Sequence, residues 1–185
     1  IAKFPQVNLS LLNGNSREIE AALQEHRIDL GLVEGICRLP NLRYTTFLQD
    51  ELVAVVHTGS KLSLPDEITP EDLSRIPLVL RERGSGTLDV FERALSEHNM
   101  KLSSLNVLLY LGSTESIKLF LEHTDCIGIV SIGSISRELL SGTFRVIEIK
   151  GMPMLREFCF AQPQGQESGL SQVLMQFAMH HNKKL

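Results

Sequence analysis

Four times along this chain, a short apolar run of strand type gives way to a polar, hydrogen-bonding residue and then to an apolar stripe of helical period. The clearest case is the stretch Leu80 to Asp89, Leu-Arg-Glu-Arg-Gly-Ser-Gly-Thr-Leu-Asp. The run Ile76 to Leu80 reads as a buried strand, and Leu88, Phe91 and Leu95 then fall on one helical stripe. Gly84 and Gly86 allow a tight turn between them, while Ser85 and Thr87 place hydroxyls at the helix start. Helix starts carry unpaired N–H groups and a partial positive charge, so they cap themselves with such side chains or bind anions. Alternation of this kind restricts the chain to an α/β architecture.

The same device recurs at Asn15-Ser16, Ser113-Thr114 and Ser131. In chain order, Val7, Leu9 and Leu11 alternate as a strand, and a helix follows with Ile19, Ala22 and Leu23 on its stripe. Asn15 with Glu18 has the spacing of a capping box. Ile28 to Val33 is the next strand, and parallel pairing with the first through a right-handed crossover is expected. Tyr44–Leu48 and Glu51–His57 read as two strands separated by Gln49-Asp50. Thr58 to Pro70 reads as a surface connection, and Pro70 opens a short helix behind Thr69. Strands are expected at Leu105–Leu111, Cys126–Val130, Arg145–Ile149 and Arg156–Phe160. Helices are expected after Ser113 and Ser131, and one closes the chain with Leu170, Val173, Leu174, Phe177 and Ala178.

In open α/β sheets, ligands bind at the carboxyl ends of strands, where such helix starts gather. The four starts can therefore converge on one small polar ligand, although capping alone would also produce them. Glu34, at a strand end beside Gly35, is either a ligand contact or a solvated loop charge. Arg81-Glu82-Arg83 is either a solvated hinge or a set of charges facing the ligand.

Other chemistries find no support. There is no nucleophile elbow, no phosphate loop ending in Gly-Lys-Ser or Gly-Lys-Thr, and Asp89 stands where a dinucleotide fingerprint needs glycine. The six histidines are scattered, and Cys37, Cys126 and Cys159 form no Cys-x-x-Cys pair, so neither a metal, a cofactor nor a catalytic residue is expected. Cys126 and Cys159 sit in apolar runs as buried free thiols, which favours a reducing compartment. Eighteen basic against 22 acidic residues give a formal charge of −4, and aromatic residues are 5% of the chain. That balance suits neither a nucleic-acid backbone nor base stacking. No apolar run reaches membrane-spanning length, and the opening Ile1 leads us to expect a piece of a longer protein.

Seven motifs in order resemble LysR-type transcriptional regulators. They are Phe4-Pro5, Gly14-Asn15-Ser16, the run Asp29 to Gly35, Asp50-Glu51-Leu52-Val53, Leu80 to Thr87, the run Gly112 to Lys118, and Gly128-Ile129. Each motif is loose alone, but the ordered set is specific to the effector-binding domain of that family. The resemblance implies a type II periplasmic-binding-protein-like fold, two α/β lobes joined by two crossover strands. Lobe I would be residues 1–77 plus 159–185, and lobe II residues 78–158.

It further implies a small anionic effector in the cleft between the lobes, with Asn15, Ser16, Glu34, Ser85, Gly86, Thr87, Ser113 and Ser131 as its contacts. Such domains form antiparallel dimers, the helix near Ser16–Arg27 facing the partner's counterpart of the Ser113–His123 helix, and tetramers when full length. DNA would be bound only through an N-terminal helix-turn-helix absent from this sequence, and the protein would be cytoplasmic, with no membrane partner and no enzymatic activity. A solute-binding protein of a transporter shares the fold and is the alternative reading.

Overall fold

A computed structural model describes residues 6–35, 39–165 and 169–182. Phe4-Pro5 and Cys37 lie outside the described residues. The elements are α1 (Ser16–Gln24), β1 (Gly31–Glu34), β2 (Leu42–His57), β3 (Glu67–Ile68), β4 (Pro77–Arg81), α2 (Gly86–Glu97) and β5 (Asn106–Leu111). They continue with α3 (Thr114–Leu121), β6 (Ile127–Ser131), α4 (Ser136–Leu140), β7 (Phe144–Ile149), β8 (Met154–Pro163) and α5 (Gly169–Asn182). Short 3₁₀ turns span Pro70–Ser74, Leu102–Ser104 and Ile132–Ile135.

The strands follow the order β1-β8-β2-β6-β4-β5, with β7 also on β2 and β3 on β7. Strand β2 is the spine. Its first part, Leu42 to Leu52, pairs antiparallel with β8, and its second part, Leu52 to His57, pairs with β6 and β7. Beyond β6 the pairing is parallel, β6 to β4 and β4 to β5, with helices filling the crossovers.

Period-two burial along β2 feeds two cores. Leu52, Ala54 and Val56 join Leu78, Leu80, Leu88, Phe91, Leu95, Ile127 and Ile129 in one cluster. Val55 and Val79 face the other way, onto Ile117, Leu121 and Val130. Full burial of each such side chain is worth roughly 1.5–3 kcal/mol. A third cluster, Ile19, Leu23, Val33, Leu42, Cys159 and Ala161, holds α1 against β1 and β8. The expected division at residue 77 cuts through the first cluster, because Leu52, Ile68, Leu73 and Ile76 pack there with Leu78 and Leu80.

The structure differs from the sequence reading in three further places. Val7 to Leu11 forms no strand, with Leu9 and Leu11 exposed, and β1 pairs antiparallel with β8. An alternating pattern becomes a strand only where a neighbour completes its ladder, and no described strand reaches this one. Gln49-Asp50 is no break: β8 runs alongside it and carries β2 through as one 16-residue strand, the irregularity falling between Thr46 and Leu48 instead. The helix expected at Ser131 starts as a 3₁₀ turn, becoming α-helical only at Ser136.

Candidate functional site

A cavity of about 540 Å³ opens where the start of α1 faces the end of β4 and the start of α3. From the α1 side it is lined by Asn15, Ser16, Glu18 and Glu34, and from the opposite side by Arg81, Glu82, Ser113 and Thr114. Phe158 of β8 also lines it.

Local chemistry fixes each wall. Asn15 and Glu18 form the expected capping box: the Glu18 amide donates to Asn15 Oδ1 at 3.0 Å and the Asn15 amide to Glu18 Oε2 at 2.9 Å. The Ser16 hydroxyl donates to the Glu34 carbonyl at 2.6 Å and accepts from the Glu34 amide at 3.1 Å, clipping α1 to β1. Ser113 caps α3 by accepting from the Ser116 amide at 3.1 Å. The start of α1 also touches the loop before α2 directly, the Arg17 amide donating to the Gly84 carbonyl at 3.2 Å. Gly84 has φ +91, a left-handed conformation that suits glycine, and a Cβ there would press on Asn15 and Arg17.

Arg81 is held flat against its neighbour, Nε and Nη2 donating to the Glu82 carboxylate at 2.9 and 3.1 Å. Its Nη2 also reaches the Gly112 carbonyl at 3.3 Å. Burial pushes the Glu82 carboxyl up. Hydrogen bonds from Arg81, its own amide and Asn15, together with the Arg81 charge, outweigh that and hold it below the ordinary glutamate value.

Of the residues expected to form the site, Asn15, Ser16, Glu34 and Ser113 line this cavity, whereas Ser85, Gly86, Thr87 and Ser131 do not. Ser85 is fully buried and caps α2 by accepting from the Thr87 amide at 3.2 Å. Gly86 lies against the Glu34 backbone, where a Cβ would stand 2.1 Å from the Glu34 carbonyl oxygen. Thr87 and Ser131 are drawn into a charged cluster centred on Arg156, which sequence reasoning missed.

Arg156 is 3% exposed at its side chain and donates from Nε to Asp50 Oδ2 at 2.7 Å. Its Nη1 meets Glu34 Oε2 at 2.5 Å and the Thr87 hydroxyl at 2.9 Å. Ser131 donates to the other Asp50 oxygen at 2.8 Å, and the guanidinium carbon lies 5.0 Å from the Phe158 ring centre. Four elements, β1, β2, β8 and α2, thus meet on one guanidinium, and β6 joins them through Asp50. No local spacing announces this cluster, since Asp50 and Arg156 are 106 residues apart. The available signal was an arginine inside a largely apolar strand that also carries Glu157 and Gln162.

Among the described residues, no group of three His, Cys, Asp or Glu side chains could hold a metal ion. No helix there is long and apolar enough to cross a membrane.

The chain resembles known proteins throughout its length. The family model for the LysR substrate binding domain matches residues 1–183. The uncharacterized HTH-type transcriptional regulator YeiE of Escherichia coli K12 is 32% identical over 146 residues, covering 79% of this chain and 48% of YeiE. The chain thus spans about half the length of this curated relative. Among solved structures, the regulatory domain of CcmR from Synechocystis PCC6803, in complex with 2-PG, superposes with a TM-score of 0.84 at 25% identity. That match covers 100% of this chain and 88% of the CcmR domain. A phosphate ABC transporter substrate-binding protein from Clostridium perfringens shares the fold at TM-score 0.76 and 16% identity, covering 95% and 83% of the two chains. The architecture is the type II periplasmic-binding-protein-like fold expected from the motifs. The chain belongs to the LysR substrate-binding domain family.

Proposed function

We propose that this chain is the effector-sensing domain of a transcriptional regulator, and that its effector is a small anion-bearing molecule seated in the 540 Å³ cavity. The observation carrying this reading is that the cavity lies between elements packed in different cores, with Asn15, Ser16 and Glu34 at α1 and β1 on one side and Arg81, Glu82 and Ser113 at β4 and α3 on the other. A ligand touching both walls favours one relative arrangement of them, which is what a signal needs. The size suits a small metabolite, and the CcmR domain with 2-PG supports a ligand of that class.

The three clusters support a division in which the described residues of 6–50 and 156–182 form one lobe and residues 52–154 the other. The signal passes through a dimer to a DNA-binding segment outside this sequence, in the cytoplasm where the DNA lies. The transporter reading shares the fold, but the matching family model and the named regulator among the relatives favour sensing over transport.

The test is a thermal-shift panel of small carboxylates and phosphorylated acids on the wild-type domain and on Arg81→Met and Ser113→Ala. A ligand at 100 times its Kd adds about 2.7 kcal/mol. For this chain length that is a rise of roughly 5–11 °C in Tm. The rise should shrink in both variants. A ligand that raises all three melting temperatures equally binds elsewhere and sinks the cavity assignment.

A further inference from the structure

The charge of the cavity wall carries information beyond its position. Among the described residues that line it, Arg81 is the only cation, and three carboxylates, Glu18, Glu34 and Glu82, share the lining. All three have partners: Glu18 accepts from the Asn15 amide, Glu34 meets Arg156, and Glu82 accepts from Arg81 and from the Asn15 side chain. Glu82 differs, because it sits beside the one cation an anionic ligand would seek, and it already occupies Arg81 Nε and Nη2. Its side chain remains 25% exposed and its carboxyl is held below the ordinary glutamate value, so it stands ionised in the cavity at neutral pH. An ionised carboxylate accepts hydrogen bonds and donates none. A ligand made only of acceptor oxygens, such as sulfate, therefore meets repulsion from Glu82 while finding Arg81 already neutralised. A ligand carrying a hydroxyl or ammonium group beside its anion can donate to Glu82 and still place the anion toward Arg81 and the first-turn amides of α3.

We propose that Glu82 is the selectivity residue of the cavity: it rejects bare oxyanions and admits anions that also carry hydroxyl or ammonium donors. This rests on the cavity being the effector site.

The test is calorimetric titration of the domain with sulfate and with glycerate, at one ionic strength, for wild type, Glu82→Gln and Glu82→Gln/Arg81→Met. Removing a like charge in contact with a bound anion is worth at least about tenfold in affinity. Sulfate should bind Glu82→Gln at least about tenfold more tightly than wild type, and the ratio of glycerate to sulfate affinity should fall. The added Arg81→Met should abolish the gain. Should Glu82→Gln not fold, Glu82→Ser carries the same prediction. Unchanged or undetectable sulfate binding in Glu82→Gln overturns the selectivity role, and leaves the cavity reading standing if glycerate binding still depends on Arg81. A gain in sulfate binding that persists without Arg81 places the anion outside the cavity and overturns both.

Discussion

Asp50 and Arg156 are direct register partners across the antiparallel strands β2 and β8, and their side chains meet at 2.7 Å with only 7% and 3% exposure. These are the two strands that run between the cores, so this pair sits where the halves of the molecule are joined. Guanidinium and carboxylate compensate one another's lost hydration, Glu34 and Thr87 add partners at Arg156 Nη1, and Ser131 donates to the second Asp50 oxygen. Removing one partner of such a buried pair strands the other charge, at a cost of about 3–5 kcal/mol. Arg156→Met should therefore lower the urea midpoint strongly. Arg156→Met/Asp50→Asn should recover part of the loss, because the second change removes the stranded charge. Additive losses in that cycle would show that the pair contributes no coupling.

Gly86→Ala tests the contact between α2 and β1. The new Cβ would stand 2.1 Å from the Glu34 carbonyl oxygen, a backbone atom that no side-chain rotation can clear. The start of α2 must move off β1, which overpacking precedents put at about 1–3 kcal/mol. Because Ser16 is clipped to the same Glu34 backbone, ligand binding in the cavity should weaken as well. A Gly86→Ala domain with wild-type stability and affinity would contradict this packing.

Much of this was legible in the sequence, and the parts that were not share one cause. Asn15 with Glu18, Ser85 ahead of Thr87 and Ser113 ahead of Ser116 are local devices whose partners lie within three residues, and all three formed as caps. Gly128 was visible only as half of a motif. Its reason is tertiary, since a Cβ there would stand 2.9 Å from Ile117 of α3. Asp50 was read as part of a break between two strands because its neighbours are β8 and Ser131, far along the chain. Ser131 looked like a cap for the same reason, although its hydroxyl is committed to Asp50. The cavity was half legible: hydroxyls marked its walls, but nothing local said which of them faced inward.

Cys126 should be chemically inert in the folded protein. Burial, and secondarily the Asp125 charge, push its thiol up to about 11. At pH 8 only about a thousandth of it is thiolate, and the thiolate is the nucleophile. Iodoacetamide should leave the Cys126 peptide unmodified in native buffer and label it in denaturant, as read by peptide mass spectrometry. Rapid native labelling would show that the start of β6 opens.

The link between α3 and α4 sets a pH window. Burial pulls the Lys118 ammonium down, but hydrogen bonds and charge from Glu138 and Glu115 outweigh it and raise it above its ordinary 10.5. The Lys118 bond holds Glu138 below its ordinary 4.5. The depressed Glu138 contributes stability that is full above 4.5 and is lost as pH falls through its folded value. The raised Lys118 contributes stability that is full below 10.5 and is lost as pH rises through its folded value. Lys118→Met should remove this link and flatten both flanks of a plot of urea midpoint against pH. A profile with wild-type curvature would mean the 2.8 Å pair to Glu138 adds nothing in solution.

A dimer of this domain would draw on apolar side chains left open to water. Leu119 on α3 is 62% exposed, and Leu108 and Tyr110 on the neighbouring β5 are 46% and 41% exposed. Single exposed leucines are ordinary, but these belong to two adjoining elements, and α3 is the helix that would face α1 of a second copy. Burying them would give a dimer the apolar centre that such interfaces have. Leu119→Glu should leave the fold intact, since the side chain points to water, while placing a charge in that centre. In sedimentation equilibrium the wild-type domain should run as a dimer at concentrations where Leu119→Glu runs as a monomer. If both sediment as dimers of equal strength, α3 is not in the interface, and the signal from the cavity must leave the domain by another face.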